Sequence, residues 1–366
     1  VNVVSFVFQP GEELNPGGAS LVMRERPFDG YRVAAFVGQH VEPMLKTGTF
    51  GFRRGKYMAS SDELRFRVNG VGGHAALRER IKDPVRAAAE LIRLLYDIPA
   101  ANPSPELPTI VSIGRVTADG ATNVVPDRTF MEGTMRTFDE TWRRRVKEMV
   151  HEAAAEVDAR FGVSTEVDIN HGYPCVYNDE ELTRRVESAT AGLFGEDAVI
   201  SLGLRPTAED FGYYTLEYPS VYYRLGVGGD GAYFDSRSAG RIHTGTFRPD
   251  EKALGYGVVQ FINIVFTVLG SENGLFVAEG RKMVGEALAA GADIERIYLT
   301  GEEGAGGVDE AVRCGIVERV SDSEMERMSH LKTPSDMLAV IRMPADGGEA
   351  AFPAGELSLC LDGVQD

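Results

Sequence analysis

Val1-Asn2-Val3-Val4-Ser5-Phe6-Val7-Phe8-Gln9-Pro10-Gly11-Glu12-Glu13 is the stretch whose reading decides the fold. Its first eight residues are nearly all apolar or β-branched, the pattern of a strand buried on both faces in a parallel sheet. The pattern breaks at Gln9, and two adjacent carboxylates follow. In an open α/β sheet, ligands and catalytic groups gather at the carboxyl ends of the strands. Adjacent side chains point in different directions, so one carboxylate can bind a metal while its neighbour takes a proton from metal-bound water, whose pKa falls towards about 7. An isolated Glu-Glu pair is otherwise an ordinary solvated surface pair, so the rest of the chain has to decide.

Outward from this stretch, Val33 to Val37 form a second core-strand candidate. Near Met58 the texture changes: Leu64, Phe66 and Val68 alternate with charged residues, as in a strand with one wet face. Asp83-Pro84 opens an amphipathic helix with Val85, Ala88, Leu91, Ile92 and Leu95 at helical spacing. Strand candidates Thr109–Val116 and Thr129–Arg136 follow, then a helix from Asp139, its N-cap, to about Arg160. The block from about 60 to 172 is thus a small α+β module inserted into a larger α/β domain, which resumes at about Gly172 and closes with a helix from Pro249 to Leu269. The uncharged run Ala253 to Gly270 falls short of the roughly 20 apolar residues a membrane span needs, and predicts a buried helix.

The 366 residues suffice for two or three domains. There are 38 Lys and Arg against 55 Asp and Glu, a net charge of −17, which argues against broad nucleic-acid or anionic-membrane binding. Residues 272–366 carry 8 basic and 19 acidic side chains, so this tail supplies −11 of that charge. Three cysteines, Cys175, Cys314 and Cys360, lie far apart and fit reduced thiols in a cytoplasmic protein. No export signal opens the sequence, which begins in what looks like mid-core, as if an N-terminal part were missing.

His40 sits in Gly38-Gln39-His40-Val41-Glu42-Pro43 after an apolar strand, His243 in Ile242-His243-Thr244-Gly245-Thr246-Phe247, and His74 in Gly72-Gly73-His74-Ala75-Ala76 within the inserted module. Alone, such histidines are more often polar loop residues than ligands; His171 and His151 carry less signal. As an ordered set the pieces are specific. The chain resembles the aminoacylase/carboxypeptidase-type co-catalytic metallohydrolases, and within them the hippurate hydrolase and auxin-conjugate hydrolase branch. FQPGEE at 8–13 matches that branch's FQPAEE, and Gln39 to Pro43 its GLHVxP. Met58 to Asp62, Gly72 to Ala76, Asn123 to Asp127, Gly133 to Arg136, Ala208 to Phe211 and His243 with Phe247 follow in family order, over about 1–270.

The resemblance implies an α/β fold: a metallohydrolase catalytic domain (1–59 and 173–270, its N-terminal part missing) with an α+β dimerisation and lid domain at 60–172. It implies hydrolysis of the amide bond of N-acyl amino acids or similar small amides with two divalent ions, zinc or manganese. Glu12 would be the general base, and Glu13, His40 and His243 metal ligands. His74 would hold the substrate carbonyl or oxyanion, in many relatives from the partner subunit of a homodimer, and Asn123 would bind the substrate's polar end. Glu209 and Asp210 would be nearer structural than catalytic. Two further ligands of the branch, a Cys and a His in a CGHD-type motif, precede FQPAEE and have no counterpart here, so the polypeptide by itself is expected to be inactive.

In the tail, Asn273 to Lys282, Lys332-Thr333-Pro334 and Ala339-Val340-Ile341 resemble the N-terminal substrate-binding domain of SPOUT-class RNA 2′-O-ribose methyltransferases, over 272–345. Leu359 to Asp366, within 355–366, resembles the start of that family's catalytic domain, without a cofactor site. Two other readings stand beside amide hydrolysis: an RNA methyltransferase fragment binding RNA through the tail, against which its acidity speaks, and a non-catalytic remnant that still dimerises.

Overall fold

The computed structural model describes residues 4–229, 242, 244–269, 275–289, 292–301, 315–329 and 334–342. The chain divides into two compact units, Gln9–Gln260 and Val1–Phe8 with Phe261–Asp366. In the first unit it runs through α1 (Gly18–Glu25), β1 (Phe36–Glu42), β2 (Phe50–Phe52) and β3 (Gly55–Met58). It then crosses into β4 (Asp62–Asn69), β5 (Gly73–His74), α2 (Pro84–Asp97), β6 (Ile110–Thr117), β7 (Val124–Val125), β8 (Arg128–Arg136), α3 (Glu140–Phe161) and β9 (Ser164–His171). It returns through β10 (Val176–Asn178), α4 (Glu180–Phe194), β11 (Val199–Ser201), α5 (Gly212–Thr215), β12 (Ser220–Gly226) and α6 (Lys252–Leu269), whose second half lies in the other unit.

One sheet has the order β1-β12-β2-β11. All seven residues of β12 are buried, as expected of a central strand, and β12 pairs in parallel with β1, Phe36 to Ser220 through Glu42 to Gly226. A second, antiparallel sheet has the order β6-β8-β4-β9. The alternation in β4 puts Leu64, Phe66 and Val68 on one face, against Ala87, Leu91 and Leu95 of α2 and Val146, Val150 and Val157 of α3. Each such large apolar side chain contributes about 1.5–3 kcal/mol on burial. Both helices start at aspartate caps: Asp83 accepts from the amides of Val85 (2.9 Å) and Arg86 (3.1 Å), and Asp139 from that of Trp142 (2.8 Å). Gly162, at φ 66°, ends α3 in the left-handed conformation that glycine adopts without steric cost.

The two sheets are stitched where the chain passes between them. The amide of Ser60 donates to the Thr137 carbonyl (2.7 Å) and that of Ser61 to the Tyr173 carbonyl (2.9 Å). Beside them the buried Arg143 grips the buried Asp62 with two hydrogen bonds of 2.7 and 2.9 Å and donates to the Gly172 carbonyl at 3.0 Å.

Several expectations need correction. Val4–Phe8 form no strand, and Phe6 and Phe8 are 62% and 64% exposed. An apolar run is a ladder only with a strand to pair with, and among the described residues none hydrogen-bonds to it. The strand expected at Val33–Val37 spans 36–42 instead, because Gln39 and His40 pair with Tyr223 and Arg224 of the buried β12; His40 is therefore in the strand, not after it. The helix near the end of the first unit is present, but Leu254 and Ile262 are exposed, so its burial is one-sided.

The second unit contains β13 (Leu275–Glu279), α7 (Arg281–Ala289), β14 (Ile294–Leu299), β15 (Val317–Arg319), α8 (Asp322–Met328) and β16 (Met337–Arg342). Its sheet, in the order β13-β16-β14-β15, buries Ala278, Val284, Ile297, Leu299, Met337, Ala339 and Ile341. Ser321 and Glu324 form a reciprocal capping box at α8. The segment 355–366, read as the start of a further domain, lies outside the described residues. Among the described residues no helix is long and apolar enough to cross a membrane.

Candidate functional site

Glu12 and Glu13 sit on the turn between Gln9 and α1, where Pro10 and Gly11 (φ 53°) bend the chain. Both line a cleft of about 420 Å³, together with Ser61, Arg136, Tyr173, Pro206, Thr207 and Ala208. Glu12 is half-buried and Glu13 exposed. Burial, then the nearby charges of Glu209, Glu13 and Asp210, push the Glu12 carboxyl up to about 8. A carboxyl poised there can hold a proton at neutral pH and give it up again, as a group passing protons between water and a leaving amine must.

Behind Glu12 lie Glu209 and Asp210, on the turn before α5, with one oxygen of each of the three within 4.8 Å of the others. The two rear acids differ in their partners. Glu209 accepts from the Tyr222 hydroxyl at 2.5 Å, and burial holds its carboxyl up at about 7. Asp210 accepts from the Gln9 amide nitrogen (2.8 Å) and the Ala19 backbone amide (2.9 Å), so both its oxygens are engaged. Tyr173 closes the other side, its hydroxyl donating to the Glu12 carbonyl.

His40 is not in the cleft wall, but its ring lies 6.4 Å from that of Tyr222, the partner of Glu209. Its Nδ1 faces the Val41 carbonyl at 2.7 Å. A carbonyl can only accept, so Nδ1 carries a proton, an arrangement common in metal-ligating histidines. Among the described residues, the donor side chains close enough to share a divalent ion are the carboxylates of Glu12, Glu209 and Asp210, an oxygen set of the kind that suits manganese. His243 lies outside the described residues.

His74 and Asn123 come together elsewhere. Gly73 and His74 pair with Val125 and Val124, and the Ala75 amide donates to the Asn123 carbonyl at 2.9 Å. Both side chains are exposed on this two-stranded ribbon and neither lines the cleft. Arg136, which carries no assigned role in the motifs above, does line the cleft. Arg136 donates to the Pro206 carbonyl at 3.1 Å, and burial lowers the pKa of its guanidinium. Its place in Gly133-Thr134-Met135-Arg136, at the end of β8, was the available signal.

The model of peptidase family M20/M25/M40 matches residues 2–240, and that of an MRM3-like substrate-binding domain matches residues 271–339. Among curated proteins, the N-acetyl-L-cysteine deacetylase of Bacillus subtilis is 33% identical over 227 residues, 62% of this chain and 53% of that protein. The N-acetyldiaminopimelate deacetylase of Exiguobacterium sibiricum is 31% identical over 256 residues, 69% of this chain and 65% of that one. Among solved structures, a dinuclear metal-binding M20-family peptidase of Bacillus subtilis superposes with a TM-score of 0.58 at 30% identity, covering 72% of this chain and 63% of that one. A candidate aminohydrolase of methicillin-resistant Staphylococcus aureus gives 0.63 at 26% identity, covering 71% and 64%. The chain spans between about half and two thirds of the length of these curated relatives.

Proposed function

Because the chain belongs to peptidase family M20/M25/M40, we propose that residues 9–260 form most of a metal-dependent amidohydrolase that cleaves N-acyl amino acids, of the hippurate hydrolase type. The observation that carries this reading is the cleft in which a raised-pKa carboxyl, Glu12, sits beside a second carboxylate, Glu13, with a guanidinium, Arg136, in the same wall. Two relatives named for removing acetyl groups from amino acids support the substrate class.

Glu13, His40 and His243 would hold the metal. A bound divalent ion supplies acidity to water and polarises an amide carbonyl. Glu12 takes the proton from the attacking water and delivers it to the leaving amine nitrogen, a transfer its position near neutral pKa favours in both directions. Arg136 binds the carboxylate of the amino-acid half, where a planar two-pronged donor is the natural partner. His74 and Asn123, exposed together on the β5–β7 ribbon, serve the cleft of a second subunit brought in through residues 60–172.

Calorimetric titration of the full chain with Mn²⁺ tests the ligand set. Binding that weakens by at least about tenfold in Glu13→Gln and in His40→Ala, in line with the loss of one ligand, supports it. Binding that is indifferent to both substitutions overturns it.

A further inference from the structure

Asp210 occupies an unusual place for a carboxylate in an acidic cluster. It is fully buried, and each of its oxygens takes a hydrogen bond from a different end of the loop that carries Glu12 and Glu13. At the near end, Gln9 gives its amide nitrogen to Asp210 Oδ1 at 2.8 Å and receives the Tyr214 hydroxyl on its own oxygen at 2.7 Å. At the far end, the Ala19 backbone amide, in the first turn of α1, donates to Oδ2 at 2.9 Å. The partners are 201 and 191 residues away in sequence.

The loop is shaped to fit this grip. A side chain on Gly17 (φ 83°) would place its Cβ 2.7 Å from that of Asp210, and one on Gly18 would fall 1.8 Å from the Pro10 carbonyl oxygen. Two glycines in a row thus let the far end of the loop fold back against both Asp210 and its own beginning. The Gly17 amide closes the fold on the Leu14 carbonyl at 2.7 Å.

We propose that Asp210 is a positioning residue: it clamps both ends of the Gln9–Ala19 loop and so sets where Glu12 and Glu13 project, and it is not a metal ligand although it lies within reach of Glu12 and Glu209. The functional half of this inference rests on the hydrolase reading; the clamp itself does not.

Gln9 and Asp210 can be exchanged in polarity. In Gln9→Glu, two carboxylates face each other. In Asp210→Asn, Gln9 can turn over, accept from the new amide and donate to the Tyr214 hydroxyl oxygen, so the bonds persist and only the charge on the clamp is lost. In the double variant, the new amide at position 210 accepts from Ala19 and donates to the new carboxylate at position 9. That carboxylate in turn accepts from Tyr214, so every bond is restored with the charge unchanged. Hydrogen exchange of the full metal-free chain, followed by mass spectrometry, reads the peptide covering 10–20. Gln9→Glu should speed its exchange by about tenfold, the effect of one lost hydrogen bond to a charged group, and Asp210→Asn by less, with the α3 peptide unchanged. The double variant should return it to the wild-type rate. Unchanged exchange in Gln9→Glu, or a double variant no slower than Gln9→Glu, overturns the clamp.

Mn²⁺ titration of the same variants separates the roles. Recovery of wild-type affinity in the double variant fits a positioning role, whereas recovered loop protection without recovered affinity makes Asp210 a ligand and overturns that half of the proposal. If loop protection follows the swap while Mn²⁺ binding is indifferent to Glu13→Gln and His40→Ala, the clamp stands and the hydrolase ligand set falls.

Discussion

Glu12 is the proposed acid–base group, and its environment gives a pH-dependent consequence. The folded-state value of about 8 lies above the ordinary 4.5. A carboxyl raised in this way stabilises the fold fully below the unfolded value, and that contribution is lost as the pH rises through 8. Glu12→Gln removes the dependence. In metal-free protein the variant should melt at the wild-type temperature at pH 5 and about 2–4 °C higher at pH 9, equivalent to about 1 kcal/mol once solvent screening of a half-exposed group is allowed for. A variant that melts lower at pH 9 would contradict the assignment. At this scale the adjacent carboxylates, which do line the cleft, were legible in the sequence because they stand in a short motif. The groups that position them were not. Gln9 and Asp210, or Tyr173 and the Glu12 carbonyl, are brought together across 161 to 201 residues, and no local pattern encodes such a pairing.

Helices and strands were legible where one face is buried and the ends are capped. Asp83-Pro84 and Asp139 start α2 and α3 where expected because their side chains satisfy amides that the helix itself leaves unpaired. The alternation in β4 is kept intact between β8 and β9. The failures were at Val4–Phe8 and Val33–Val37, since apolar content shows a preference for a sheet and says nothing of pairing or register. The Asp62–Arg143 contact, at the joint between the two sheets, was likewise silent in the sequence. There burial works against the charge of Arg143, but the hydrogen bonds and charge of Asp62, and then Glu140, more than offset it and raise its pKa. Arg143→Met should leave Asp62 buried without its two-pronged partner and cost about 3–5 kcal/mol, read by denaturant unfolding. A loss below about 1 kcal/mol, the range of a single ordinary hydrogen bond, would mean that Lys147, 2.9 Å from Asp62, carries the joint alone.

The whole chain combines two units of different kinship: residues 2–240 match the M20/M25/M40 peptidases, and residues 271–339 match an MRM3-like substrate-binding domain. The sequence motifs marked both, and the acidity of the tail marked the change between them. A tail of net −11 offers little to RNA phosphates, whose binding depends on Lys and Arg. His74 and Asn123 lie outside the cleft, and the proposal that they serve the site requires a second subunit to supply them. Sedimentation equilibrium should give twice the 39.8 kDa chain mass, and a monomer at micromolar concentration would remove His74 and Asn123 from the site. The most direct test is chemical: acetate release from a panel of N-acetyl amino acids with Mn²⁺ or Zn²⁺, by the gene product that contains this chain and by its Glu12→Gln variant. Metal-dependent release that falls by at least about a hundredfold in the variant is expected, the contribution of a positioned acid–base group. Release that survives Glu12→Gln, or a metal-loaded protein that cleaves no member of the panel, would contradict it.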